Sequence, residues 1–171
     1  MNRKAVLAAA GRILKSVELR VPLDVHAIAA AHGLELEKER LEDAIIALMV
    51  TNTTGALITM NSRLSANEER FALAHALGHY LLHSDNQSVF IDRANPAADL
   101  SPKDRKQAQQ ENEANEFAAE LLMPETIVRE RFATRRPYPY NERSLRPLAA
   151  QLGTSELALA VRLTKLGLSD A

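Results

Sequence analysis

Apolar residues recur at helical spacing through Ala5, Leu7, Ala8, Ile13 and Leu14 and predict a first helix, which ends before Pro22. Asp24 is placed to cap a second helix from Val25 to His32, and Gly33 to stop it. The stretch from Leu34 to Arg40 is dominated by charge and receives no element. Two β-favouring runs, Ile45 to Thr51 and Ala56 to Asn61, flank Asn52, Thr53, Thr54 and Gly55 and predict a hairpin. Ser65 followed three residues later by Glu68 is a capping-box pattern, and it opens an apolar, periodic segment that runs to about His83. From Ser84 to Leu100 the periodicity lapses while Asn, Asp, Ser and Pro96 accumulate, which predicts a surface loop. Ser101, Pro102 and Asp104 then supply a cap, a first helical residue and a favourable first-turn charge for a helix ending near Met123 and Pro124. A shorter helix is predicted from Glu125 to about Thr134, a stiff loop over Arg136 to Tyr140, and two last helices, Ser144 to Leu152 and Ser155 to Leu166, punctuated by Gly153 and Gly167. The sum is an α+β fold, mostly helical with a small antiparallel sheet.

At 171 residues, 46% hydrophobic and 25% charged, the chain suits one domain with a buried core and neither a disordered nor a collagen-like protein. We expect that domain to span residues 1–171, with its core at about 20–135 and a carboxy-terminal helical segment at about 141–171. Lys and Arg total 21 against 22 Asp and Glu, a net charge of -1, so no global positive excess is present to neutralise a phosphate backbone. The absence of cysteine excludes disulfide scaffolds, thiolate nucleophiles and Cys-type zinc fingers, and leaves His, Asp and Glu as metal ligands. The first residues hold an apolar run of only about six before Gly11, unlike a signal peptide. No stretch approaches the roughly 18 to 20 apolar residues of a membrane span, so the expectation is a soluble, cytoplasmic protein without membrane partners.

Three of the 5 histidines, His75, His79 and His83, fall in the segment with the clearest helical pattern. At about 100° and 1.5 Å per residue, His75 and His79 sit one turn apart on one face, roughly 6 Å along the axis, and both imidazoles can reach one metal ion. His83 lies roughly 12 Å from His75 along the axis, too far for the same set of ligands, and is left either to support them or to face solvent. The competing reading of His75 and His79 is a pair of hydrogen-bonded core histidines. The residues around them form a zinc-peptidase helix with one position changed. In His-Glu-x-x-His the glutamate moves a proton, whereas Ala76 has no group that can. A tetrahedral metal needs a third protein ligand. Among Glu111, Glu113, Glu116 and Glu120, only Glu111 shares the stripe of Ala114, Ala118, Leu121 and Leu122, so it is the candidate; the other three are read as a solvated face. Asn115, about 40° from Glu111, is placed to accept a hydrogen bond from a ligating imidazole.

The segments NSRLSANEERFALAHALGHYLLH, from Asn61 to His83, and ENEANEFAAELLMP, from Glu111 to Pro124, resemble the ImmA/IrrE family of metallopeptidases. Asp24 to Leu34 and the hairpin ending at Asn61 fit the family's amino-terminal region more loosely. The resemblance implies a zincin-like fold in which His75, His79 and Glu111 bind zinc, with manganese as an alternative, and an endopeptidase that cleaves a helix-turn-helix transcription repressor in a phage, mobile-element or stress-response setting. Ala76 stands where the family carries its catalytic glutamate, which implies metal binding without efficient hydrolysis in the chain as written. Since the rest of the motif is intact, a single deliberate Glu-to-Ala change is the preferred explanation over a natural pseudopeptidase.

Leu145 to Leu166 has the Ala, Gly and apolar spacing of a helix-turn-helix, yet its second helix offers few polar side chains to base edges: Ser155, Glu156, Arg162, Thr164 and Lys165. With four basic and two acidic residues from Asn141 to Leu166, direct DNA binding is the weaker reading, and a helical pair packed on the core is preferred. Tyr138 and Tyr140 are candidate cleft residues. Two function classes therefore compete with the peptidase: a non-catalytic, metal-containing module that binds a protein partner, and, less favoured, a DNA-binding regulator.

Overall fold

The computed structural model describes residues 3–85, 87–94, 102–133 and 142–168, of which 102–104 and 142–144 are described by their backbone. Seven helices and four strands occur among these residues in the order α1 (Arg3–Ser16), α2 (Val25–Ala31), β1 (Leu34–Glu39), β2 (Ile45–Thr51), β3 (Ala56–Asn61), α3 (Ala66–His83), β4 (Val89–Arg93), α4 (Pro102–Leu122), α5 (Glu125–Ala133), α6 (Glu142–Leu152) and α7 (Glu156–Lys165). The fold is α+β, as the pattern predicts.

Local chemistry sets most boundaries. Asp24 accepts from the Ala27 backbone N–H at 3.0 Å and starts α2. Ser65 and Glu68 close the capping box of α3 from both sides, Glu68 Oε2 accepting from the Ser65 N–H at 2.8 Å. In the β2–β3 hairpin Asn52 Oδ1 accepts from the Thr54 and Gly55 N–H groups at 2.8 and 2.9 Å, so the asparagine side chain organises the turn.

The sheet departs from expectation in three ways. Its order is β1-β3-β2-β4, with β1 parallel to β3 and the other pairs antiparallel, so it is mixed rather than wholly antiparallel. The charged stretch read as having no element is β1: Leu34 is buried and Leu36 half-buried, while Glu35 and Glu39 face water at the sheet edge. Charge on an edge strand discourages pairing with another chain, which is why the stretch does not look like a strand. The segment from Ser84 to Leu100, read as a loop, contains β4. Its five residues are too short for a periodic signal, and their partner β2 lies about forty positions earlier.

Helix α3 runs through the middle of the molecule. Every residue from Ala72 to His79 is buried, since α2, the sheet and α4 pack on different sides of it. One cluster of buried apolar side chains draws on every element, from Val6 of α1 through Phe117 of α4 to Leu163 of α7. Gly78 faces α4, where a Cβ would meet Phe117 at 3.1 Å and the Ala114 Cα at 3.2 Å. Its missing side chain lets the two helices cross closely, the tight-packing use of glycine.

Helix α4 corrects a further expectation, because Glu113, Glu116 and Glu120 do not form a solvated face. Helix α1 packs along that side of α4, where Arg3 donates to Glu116 at 2.5 Å, and Glu113 is itself buried. Glu120 pairs with Arg162 of α7, a fully buried arginine that also donates to the Met123 carbonyl at 3.1 Å. Arg162 is among the side chains that the sequence offers to DNA; the structure takes it from the surface. Helices α6 and α7 pack back on the core, with Asn67 and Arg70 of α3 donating to the Thr154 and Gly153 carbonyls of their turn at 3.1 Å each. No helix among the described residues is long and apolar enough to cross a membrane.

Candidate metal centre

His75, His79 and His83 succeed one another at single turns of α3, and all three are buried. His83 therefore does not face solvent. The Nε2 atoms of His75 and His79 lie 3.0 Å apart. Helix α4, brought close at Gly78, sets Glu111 across from them, with Oε2 at 3.3 Å from His75 Nε2 and Oε1 at 3.4 Å from His79 Nε2. The same three residues are the set among the described residues whose donor atoms, all within 4.8 Å of one another, could hold a metal ion.

The donor set fits a metal on geometric grounds. Ligands at about 2.0–2.1 Å from a tetrahedral zinc are separated from each other by roughly 3.3 Å. The three separations seen, 3.0, 3.3 and 3.4 Å, match that edge length. Asn115 Oδ1 lies 3.1 Å from His75 Nδ1; the amide oxygen accepts, so Nδ1 carries the proton and Nε2 is left toward Glu111. Behind His79, its Nδ1 is 3.1 Å from His83 Nδ1, and His83 Nε2 is 3.0 Å from Glu113 Oε2. Gln109 donates to the other Glu113 oxygen at 2.9 Å. The ring of Phe90, from β4, lies 4.8 Å from that of His79 and closes the site on the sheet side.

The electrostatics favour an anionic glutamate between the rings. Burial works to raise the pKa of Glu111, but the facing His75 and His79 outweigh it and hold the carboxyl down at about 2. Burial opposes a charge on His75 too, yet Glu111, Asp92 and Asn115 together push its pKa up, whereas burial prevails at His79 and pushes it down. Burial also raises the pKa of Asp92 on β4.

His75, Glu111 and Asn115 open onto a cavity of about 710 Å³. Phe71 of α3, Ile45 of β2 and Asp92 of β4 line it on one side, and Thr154 and Leu157, from the start of α7 and the turn before it, on the other. The start of α7 and the turn before it thus form a wall of the cavity. Ala76 is buried in the apolar cluster and presents no proton acceptor. Tyr138 and Tyr140 lie outside the described residues. Sequence reasoning misses Asp92 and the His83–Glu113 pair. The first sits in a strand without a local signal, and the second is hidden because α1 covers a face of α4 that its own composition marks as polar.

Comparison with known proteins places these features in a family. The family model for the IrrE N-terminal-like domain, a peptidase family, matches residues 29–164, which include both segments that carry the three donors. The chain is 27% identical over 123 residues, 72% of its length and 71% of the other's, to the uncharacterized immunity region protein 2 of Bacillus phage phi105. In fold it is similar to a solved Mycobacterium tuberculosis transcriptional regulator, with a TM-score of 0.64 at 17% identity, over 94% of this chain and 46% of that one. The chain thus spans about half the length of that regulator. With the family model matching most of its length, this chain belongs to the IrrE N-terminal-like family of peptidases, which has a metallopeptidase fold.

Proposed function

We propose that this chain is a zinc-type endopeptidase domain that acts on a protein partner, a helix-turn-helix transcription repressor, and that the form with Ala76 is catalytically silent. The single observation that carries the reading is the convergence of His75 Nε2, His79 Nε2 and the Glu111 carboxylate, one oxygen toward each ring, at separations near a tetrahedral edge and beside a cavity large enough for a peptide segment. In this reading those three residues hold the metal and Asn115 orients His75. Bound zinc polarises a carbonyl and acidifies water. The chain's own residues bind and orient: the cavity's apolar side chains, Ile45, Phe71 and Leu157, receive side chains of an extended segment. A proton has no acceptor at position 76, and general acid–base assistance is commonly worth about 10² to 10⁴ in rate, which explains a silent form without loss of the site. The kinship with a phage immunity-region protein supports a regulatory partner.

Ala76 also favours a second reading, a non-catalytic module that keeps the metal as a staple and binds the partner. The burial of Arg162 argues against the DNA-binding reading. The test is metal content after dialysis and then cleavage of a repressor encoded beside the chain, comparing Ala76 with Ala76→Glu. About one zinc per chain and cleavage by the Glu form support the peptidase. Normal metal and partner binding with no gain in cleavage leaves the binding module.

A further inference from the structure

The geometry points to His83 and Glu113 as positioning residues that fix the proton of His79 on Nδ1 and so keep its Nε2 as a lone-pair donor. The inference rests on the metal-site reading of His75, His79 and Glu111 and adds to it a part that neither the motif nor the donor set contains.

With a single proton on His83, hydrogen-bond direction follows along a chain of contacts that starts at Glu113. An ionised carboxylate only accepts, so Glu113 Oε2, 3.0 Å from His83 Nε2, requires a proton on that nitrogen. A neutral imidazole carries one proton, which leaves His83 Nδ1 as an acceptor. That nitrogen lies 3.1 Å from His79 Nδ1, and the contact is a hydrogen bond only if His79 donates through Nδ1. The remaining nitrogen of His79, Nε2, is then bare, and it is the one beside Glu111 and 3.0 Å from His75 Nε2. Gln109, donating to the second Glu113 oxygen at 2.9 Å, holds the carboxylate in place.

The two histidines of the donor set are therefore oriented by different devices. His75 is turned by a single amide oxygen from Asn115, one helical turn beyond Glu111 on α4. His79 is turned by a histidine one turn farther along its own helix, which in turn is read by a carboxylate two residues past Glu111. Since α4 supplies both Asn115 and Glu113, the crossing that delivers the third donor also sets the proton on each imidazole. His83 is buried at 5% exposure, so water does not compete for its ring nitrogens. Outer hydrogen-bond partners of this kind typically change metal affinity by about 10- to 100-fold when removed.

The test pairs a spectroscopic readout with metal affinity. Imidazole ¹⁵N shifts of the full, metal-free chain near neutral pH should show His79 protonated on Nδ1 and His83 on Nε2. Zinc affinity, measured by chelator competition, should fall about 10- to 100-fold in His83→Phe, which keeps ring packing and removes both nitrogens. His83→Gln keeps one acceptor and one donor and should recover part of that loss. Thermal melts and the His75 ring shifts report whether each variant is folded, and a folded His83→Phe should show His79 shifted toward a mixture of tautomers. Finding His79 protonated on Nε2 in the unaltered chain, or His83 protonated on both nitrogens, overturns the inference. So does a folded His83→Phe with unchanged His79 shifts and zinc affinity. The tautomer is read without metal, so a chain that shows Nδ1-protonated His79 but takes up no zinc supports the relay and overturns the metal-site reading instead.

Discussion

The α3–α4 crossing and the α6–α7 pair, through its turn and the start of α7, both border the cavity, and they are held by opposite means. At the crossing, backbones approach where Gly78 leaves room, and Ala114, Phe117 and Ala118 fill the contact with small or flat apolar groups. The α6–α7 pair is also apolar inside, through Leu148, Leu152 and Leu159, but its turn is tied down by polar reach: Asn67 and Arg70 onto backbone carbonyls, and Arg162 onto Glu120 and Met123. Close packing fixes positions to fractions of an ångström, as a set of metal donors requires. Side-chain ties hold a wall in place while leaving Leu157 at the cavity's edge 76% exposed. The difference separates a close-packed cluster of donor side chains from a wall held by side-chain ties, and substitutions in each test whether one can be disturbed without the other.

The largest expected effect is at the crossing. Ala76→Glu should raise cleavage of the partner by roughly 10²-fold or more, and a chelator should abolish the gain. Gel-based cleavage with single-turnover rates checks it, with equal rates for the two forms counting against the peptidase. Next comes the wall: Arg162→Ala removes the partner of Glu120 inside the protein and should cost about 3 kcal/mol in urea unfolding. Its zinc affinity should stay within a few-fold of the unaltered chain. A large loss of zinc would show that the wall and the crossing are one unit.

Glu111→Gln should weaken zinc binding by more than the roughly 100-fold that marks an outer partner, whereas Glu113→Gln should stay within that range. Equal losses, read by elemental analysis and chelator competition, would remove the distinction between donor and support. Gly78→Ala probes the crossing by volume alone. The substitution gains up to about 1 kcal/mol of helix propensity. Against this, the new methyl meets α4 at 3.1 to 3.3 Å, and overpacking typically costs about 1–3 kcal/mol, so a net loss near 1 kcal/mol is expected in thermal or urea unfolding.

The smallest effect serves as a control outside both regions. Glu69 is opposed by its own burial but is held below its ordinary value of 4.5 by Lys38 at 2.7 Å and His26 at 3.1 Å. A depressed carboxylate stabilises the fold above its unfolded pKa and loses that contribution as pH falls through the folded one. Glu69→Gln should therefore flatten the loss of stability below about pH 4.5, by under about 1 kcal/mol because Lys38 and His26 are half exposed. A pH series of unfolding curves reads the slope, and zinc affinity should not change.

Features that depend on near neighbours are legible in the chain. The capping box at Ser65 and Glu68, the Asp24 cap, the β2–β3 hairpin and the long periodic helices depend on residues within a few positions of each other, and each stands in the structure with small shifts of boundary. The strands β1 and β4 are illegible for the converse reason. Each is an edge strand that owes its form to a partner elsewhere in the chain.

The sequence by itself determined that two imidazoles share one helix face, because a spacing of four is a geometric fact of the helix. It also determined that position 76 lacks a carboxylate, and that Glu111 alone of its neighbours lies on the apolar stripe of α4. Only the tertiary structure decided how near Glu111 comes to the histidines, because that distance is set where Gly78 meets Ala114 and Phe117. It likewise decided that Glu113 is buried against His83 and that Arg162 faces inward. A helix's sequence assigns each side chain to a face, but what is packed on that face is written in other parts of the chain, and burial turns a solvated charge into a fixed hydrogen-bonding partner.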